Sequence, residues 1–204
     1  MDFNLSVFKE PRGVMRILHL VFSICAFATI VDYTGIVTFN FEDKHVNFEY
    51  SYPFSVIFSE NLTGCYISIS NDFSSDAKFF VATGVLSLLY SLFIIFVYAK
   101  MDEIYKTNKN YPLYDFLITV FLAVLWISSS AAWANGLTGL KSATSYPILN
   151  PEKCCKVIAS GYSTLNISVI LGFLNFIIWA ADLWFLYKET AWFQGAQSSN
   201  NGEV

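Results

Sequence analysis

Few residues in this chain are placed to do chemistry, and three of them stand inside apolar runs: His19, Asn175 and Asp182. An ionisable group among apolar neighbours is costly, so its presence marks a contact or a site. Asp182 and Asn175 are two helical turns apart and would share one helix face. With Asp182 about 7–8 Å inside the end of its helix at 1.5 Å per residue, and His19 about one turn inside another, a hydrogen-bonded His19–Asp182 pair is geometrically open. Such a pair can join two helices, or it can pass a proton or a cation. One acid at a helix end does not line a route, so an intramembrane polar contact is the favoured reading and a pathway its rival.

Cys65, Cys154 and Cys155 form a second reactive group, all in polar segments between apolar runs. In an oxidising compartment such thiols pair. A bridge between the vicinal Cys154 and Cys155 is strained, and Cys65 has no second cysteine in its own segment. The economical arrangement is a disulfide from Cys65 to one of the pair. A zinc site using the three with His45 is the rival, at a spacing that matches no zinc signature, and no metal is assigned. Cys25, between Ile24 and Ala26, reads as a small apolar residue. Asn61-Leu62-Thr63 is an N-glycosylation acceptor sequence. Asn166-Ile167-Ser168 is another, at the edge of an apolar run and expected to stay unmodified. No Gly-rich phosphate loop, paired-histidine spacing or nucleophile with a neighbouring base occurs, so no catalytic residue and no cofactor is assigned and the chain reads as a non-enzyme.

Composition dictates the elements that must position these side chains. The 204 residues are 55% hydrophobic, 18% aromatic and 14% charged, with a mean hydropathy of +0.49, the opposite of the balance that disorder requires. The net charge of −4 supplies no basic field for nucleic acid. A membrane span takes about 20 apolar residues, and four segments qualify: 17–37, 79–99, 116–134 and 165–187. The first reads as a retained span, because Val31-Asp32-Tyr33 lacks the small-residue spacing of a signal cleavage site. Four spans put residues 1–16 and the tail 191–204 on one side. That side holds Lys9, Arg12, Arg16, Lys100, Lys106, Lys109 and Lys188, against Lys44, Lys78, Lys141, Lys153 and Lys156 spread over the longer loops 38–78 and 135–162. The positive-inside rule therefore predicts cytosolic termini and luminal loops.

Within the first loop, period-two alternation over Val37–Phe41 and Val46–Tyr52, interrupted by Pro53, predicts a β-hairpin or small sheet. Gly84 and Ser91 in the second span, Ser129 and Ser130 in the third and Gly172 in the fourth are small residues that let helix backbones approach. The pattern Leu92, Tyr98, Lys100 matches a weak cholesterol-contact motif. The predicted fold is an all-α four-transmembrane-helix bundle over residues 17–190, with a small β-rich first luminal loop.

Specific stretches then carry a resemblance: Lys9-Glu10-Pro11, Ala26-Phe27-Ala28-Thr29, Tyr33-Thr34-Gly35, Tyr52-Pro53-Phe54 and Asp72-Phe73-Ser74-Ser75, followed by Leu89-Tyr90-Ser91, Ala132-Trp133-Ala134, Gly172-Phe173-Leu174-Asn175 and Leu183-Trp184-Phe185. In order and spacing the chain resembles the synaptophysin family of four-span vesicle proteins. The resemblance implies a MARVEL-type four-helix fold and residence in small transport or secretory vesicles, synaptic vesicles among them. It also implies cholesterol association, homo-oligomers within the membrane, a synaptobrevin-type vesicle SNARE as partner, and no catalytic activity. Family members usually carry a cysteine pair in each outer loop. The earlier first-loop cysteine is missing here, which directs Cys65 to Cys154 or Cys155. Relatives tend to carry Asn where Asp182 stands, which implies a polar contact position. The family's long Tyr/Gly/Pro-rich tail has no counterpart in residues 191–204, so tail-dependent retrieval is not implied. Two function classes follow: a non-enzymatic organiser of vesicle membrane components, and, as the alternative, a small channel or transporter.

Overall fold

The computed structural model describes residues 9–41, 44–62, 65–107, 110–145 and 156–190. Cys154, Cys155, Thr63 of the first acceptor sequence and the tail 191–204 lie outside the described residues. The order of elements is α1 (Pro11–Val31), β1 (Thr34–Phe41), β2 (Lys44–Ser51), β3 (Ser55–Leu62), β4 (Cys65–Asp72), α2 (Ser74–Thr107), α3 (Asn110–Ser145), β5 (Lys156–Ala159) and α4 (Ser163–Glu189). Among the described residues, four helices are long and apolar enough to cross a membrane, over Gly13–Val31, Ser74–Lys100, Asn110–Ser145 and Ser163–Lys188.

The helix limits differ from the apolar limits for identifiable reasons. Helix α1 begins at Pro11, a residue pre-set for a first helical position because its missing N–H has no helical partner there. The Glu10 carbonyl accepts from Gly13 and Val14 at 3.0 and 3.2 Å. The segment 17–37 is not one span, since α1 ends at Val31 and Thr34 opens a strand. Helix α2 starts five residues before Phe79, where the Asp72 carboxylate accepts from the Ser74 N–H at 3.0 Å. That bond holds the exposed Asp72 carboxyl below its ordinary range. Helix α3 runs past Ala134 to Ser145 through Gly136 and Gly139, so part of the loop 135–162 is helical.

The chain divides into two compact units. The first takes α1 to Ile24, Thr83–Ser128 of α2 and α3, and α4 from Leu171. Its buried positions recur at helical spacing, as Ser87, Ser91, Ile94 and Tyr98 on α2 and Asn175, Trp179, Asp182 and Leu186 on α4. Val85, Leu86, Leu89, Phe93 and Phe96 lie exposed between them on α2. Polar inside and apolar outside is the pattern that lipid, not water, selects.

The second unit comprises Cys25–Ala82 and Ser129–Ile170. Strands order β2-β1-β5 in one antiparallel sheet and β3-β4 in another. In the first, Thr34↔Ser51 through Phe41↔Lys44 pair β1 with β2, and Val37↔Ala159 through Asn40↔Lys156 pair β1 with β5. In the second, Ser55↔Asp72 through Leu62↔Cys65 are partners. Tyr33, Val37 and Phe39 are buried while Thr34 and Ile36 are exposed, the alternation of a half-buried strand. Phe39 stacks on Phe58 with ring centroids 5.5 Å apart, and Phe48 meets the same ring at 4.9 Å with its plane tilted by 42°, joining the sheets. The expected hairpin is present, and the 55–72 hairpin and strand β5 are additions to it.

Phe54 is buried at a φ of 67°, an unusual conformation for a bulky residue. Its carbonyl accepts from the Phe73 N–H at 3.1 Å and its ring lies 5.3 Å from that of Trp133. At Gly35 and Gly139 a close approach needs glycine. The Tyr50 ring lies across Gly35 where a Cβ would stand, and Phe73 Cε1 lies 2.5 Å from the same point on Gly139. Gly161 has open space around it.

Gly35→Val therefore has to displace the buried Tyr50 ring. The expected loss is about 1–3 kcal/mol, read as a lower unfolding midpoint in detergent together with weakened near-UV dichroism. Gly161→Ala is the control and should leave both within error; equal effects at the two positions would refute the close-approach argument.

Candidate functional site

Among the described residues, the buried charge of the first unit gathers around Arg16 and Asp115. Both were assigned by sequence to water-facing segments, yet Arg16 is fully buried and Asp115 is 3% exposed. The reason is that α1 starts at Pro11 and α3 at Asn110, so each residue is one to two turns inside its helix. Arg16 Nη2 donates to Asp115 Oδ1 at 2.6 Å, and Arg16 Nη1 stands 3.1 Å from Asp182 Oδ2. Tyr90 OH donates to Asp115 Oδ1 and Tyr98 OH to Asp115 Oδ2. Thr119 Oγ1 lies 3.4 Å from both guanidinium nitrogens. The guanidinium carbon also sits 5.7 and 6.0 Å from the Tyr90 and Tyr98 ring centroids, within cation–π range. Side chains from α1, α2, α3 and α4 thus meet around one guanidinium.

The expected polar contact residues are near this cluster but arranged differently. His19 and Asp182 are fully buried, and His19 Nδ1 is 3.9 Å from Asp182 Oδ2, beyond a hydrogen bond. The expected hydrogen-bonded pair is therefore replaced by the Arg16–Asp182 ion pair. His19 instead stacks flat on Trp179, centroids 3.8 Å apart and planes 6° from parallel. Asn175 does not join the carboxylates; its Nδ2 donates to the Phe22 and Leu171 carbonyls at 3.0 and 2.9 Å, fastening α4 to α1. Of the small residues, Gly84, Ser91 and Gly172 are buried in the first unit, and Ser129 and Ser130 in the second.

Five participants were missed: Arg16, Tyr90, Tyr98, Asp115 and Thr119. A signal existed in Arg16-His19-Ser23 and Asp115-Thr119, polar residues at three- and four-residue spacing on apolar helices. Asn61 is exposed on β3, and Cys65 pairs through its backbone with Leu62 in the β3–β4 hairpin. Ser168 of the second acceptor sequence is buried inside α4, accepting from Trp133 Nε1 at 2.8 Å and donating to the Leu165 carbonyl at 2.7 Å. Asn166 accepts from Lys141 Nζ at 2.6 Å. Among the described residues, no group of three or more His, Cys, Asp or Glu side chains could hold a metal ion.

Buried charges paired among four apolar helices define a multi-pass membrane protein. Residues 7–185 match the family described as MARVEL: Membrane-associating domain, and the chain belongs to that family. It is a family of membrane-associating domains and not of enzymes, and its lipid-facing helices accord with contact to membrane lipid.

Removing one partner of a buried ion pair typically costs about 3–5 kcal/mol. Asp115→Ala should cost at least that, because it also strands two phenolic hydroxyls, while Thr119→Val should cost about 1 kcal/mol or less. Unfolding of both variants in the same detergent measures the difference. A small effect at Asp115 would show that the cluster does not hold the helices.

Proposed function

We propose that this MARVEL protein is a synaptophysin-family organiser of transport or secretory vesicle membranes. In this reading it is a non-enzymatic protein that associates laterally with itself and with partner membrane proteins such as a synaptobrevin-type vesicle SNARE, with cholesterol among its lipids. One observation favours it over the alternative of a small channel or transporter: Arg16 and Asp182 engage each other at 3.1 Å, and Arg16 also bonds Asp115. Charges committed to partners serve helix packing, whereas a transport path needs groups that exchange partners. The apolar outer positions of α2, from Val85 to Phe96, suit lateral contact in lipid.

The topology in this reading has cytosolic termini and luminal strands. Asn61, exposed on β3, would carry the glycan, while burial of the Ser168 hydroxyl argues against Asn166. Cys65 would pair with Cys154 or Cys155 between the two luminal loops.

The full chain, purified in mild detergent after co-expression with a synaptobrevin-type SNARE, tests the proposal through mass photometry and crosslinking. Oligomers with crosslinked SNARE are the expected result. A monomer that captures no SNARE yet conducts ions in liposomes would reverse the two readings. On non-reducing gels Cys65→Ser should abolish the mobility shift that reductant removes, and Asn61→Gln should abolish the shift caused by endoglycosidase.

A further inference from the structure

The first unit contains serines of two kinds. Ser23 donates to the Leu20 carbonyl at 3.0 Å and Ser128 to the Val124 carbonyl at 2.8 Å, the usual way a hydroxyl is satisfied inside a helix. Ser87 and Ser91 on α2 are as fully buried as Ser23 but make no such bond, and their hydroxyls have no hydrogen-bond partner among the described residues. The same holds for Asn175 Oδ1 and for Trp179 Nε1, and the ring of His19 is buried with them, facing the Ile178 backbone.

These atoms lie at matching heights along the helices. The His19–Trp179 stack and the 6.2 Å Tyr90–Trp179 contact put residues 19, 179 and 90 at one level, with Ser91 beside it. The Asn175–Phe22 bond sets the next level, one turn deeper on α1 and α4. Ser87 is one turn from Ser91 in the same direction, because α2 and α4 both run opposite to α1. Two consecutive layers of the interior therefore carry donors and acceptors that protein partners leave incompletely bonded, and buried polar groups of this kind are met by ordered water.

We propose that His19, Ser87, Ser91, Asn175 and Trp179 enclose an internal hydration site in the first unit. The hydroxyls of Ser87 and Ser91 can donate or accept, Trp179 Nε1 donates, Asn175 Oδ1 accepts, and His19 offers one of each when neutral. That set suits water, which both donates and accepts, and not a cation, because the two nearby carboxylates are already paired with Arg16, Asp115 at 2.6 Å and Asp182 at 3.1 Å. The site is independent of the vesicle function proposed above.

Water-edited solid-state NMR on the full chain in lipid bilayers tests it, reading how fast water magnetisation reaches each side chain. His19, Asn175, Ser87 and Ser91 should receive it at least several-fold faster than Leu122, which is apolar and buried in the same unit. The Ser87→Ala/Ser91→Ala double variant should slow transfer to His19 and Asn175 while leaving loop residues unchanged. Transfer to His19 and Asn175 as slow as to Leu122 in the unmodified chain would overturn the proposal. So would transfer that the double variant does not alter while its unfolding midpoint stays intact. If that variant fails to fold, Ser87→Thr/Ser91→Thr keeps the hydroxyls and should keep the fast transfer, and its loss would count against the site.

Discussion

A charge carried into a lipid-spanning helix needs partners from other parts of the protein, and in the first unit Asp115 meets that demand for three helices. Its two oxygens accept from Arg16 on α1 and from Tyr90 and Tyr98 on α2, while Asp115 itself belongs to α3. Lipid tails are as apolar as leucine, so burying apolar side chains gives helices little reason to associate within a bilayer. Hydrogen bonds to a charged acceptor supply that reason, and they supply it in one geometry. Sliding α2 by a turn would take both phenols away from the carboxylate.

The second unit is held differently. Its helical segments carry glycine where another side chain presses close, as Asp76 does on Gly136 and Phe73 on Gly139, and its sheets interlock through Phe39, Phe48 and Phe58. Its polar contacts join segments far apart in sequence: Tyr33 OH donates to the Gly161 carbonyl at 3.3 Å, the Ser160 N–H extends the β1–β5 ladder to Ile36, and Trp133 Nε1 donates to Ser168 at 2.8 Å. Shape governs the packing of this unit and charge governs the other. The difference follows from where the apolar sequence is interrupted: by glycine and strand-formers in one part, by Arg, Asp and Tyr in the other.

Much of this was legible in the sequence, and the failures share one cause. The number of spans and the β1–β2 hairpin followed from apolar runs and alternation, signals that average over many residues. The limits of α2 and α3 did not, because Lys78, Asn135 and Lys141 interrupt hydropathy without interrupting the helix. The 55–72 hairpin was obscured by an aliphatic run at Val56-Ile57-Phe58, although Ser68 and Ser70 alternate with the buried Ile67 and Ile69. Strand β5, only four residues long, is defined by pairing with β1 and not by any pattern of its own. Arg16 and Asp115 were missed for the same reason as the helix limits. Placed at the edge of an apolar run, a charge looks like an interfacial anchor until the helix is known to begin a turn or more earlier.

Why the central cation is arginine follows from the geometry of its two partners. Asp115 and Asp182 stand on different helices, and separate nitrogens of one guanidinium address them, Nη2 to the first and Nη1 to the second. A lysine carries a single ammonium at the end of a flexible stem and cannot hold both carboxylates in a fixed fork. It would also lose the flat surface that faces the Tyr90 and Tyr98 rings. The stacked His19–Trp179 pair limits how the last partner can move, because Trp179 is one turn before Asp182 on α4 and any rotation that withdrew Asp182 from Arg16 would break the stack. Asp182 thereby sits between two neighbours of different chemistry on α1, the Arg16 guanidinium at 3.1 Å and the His19 ring at 3.9 Å, and α4 cannot turn without disturbing both.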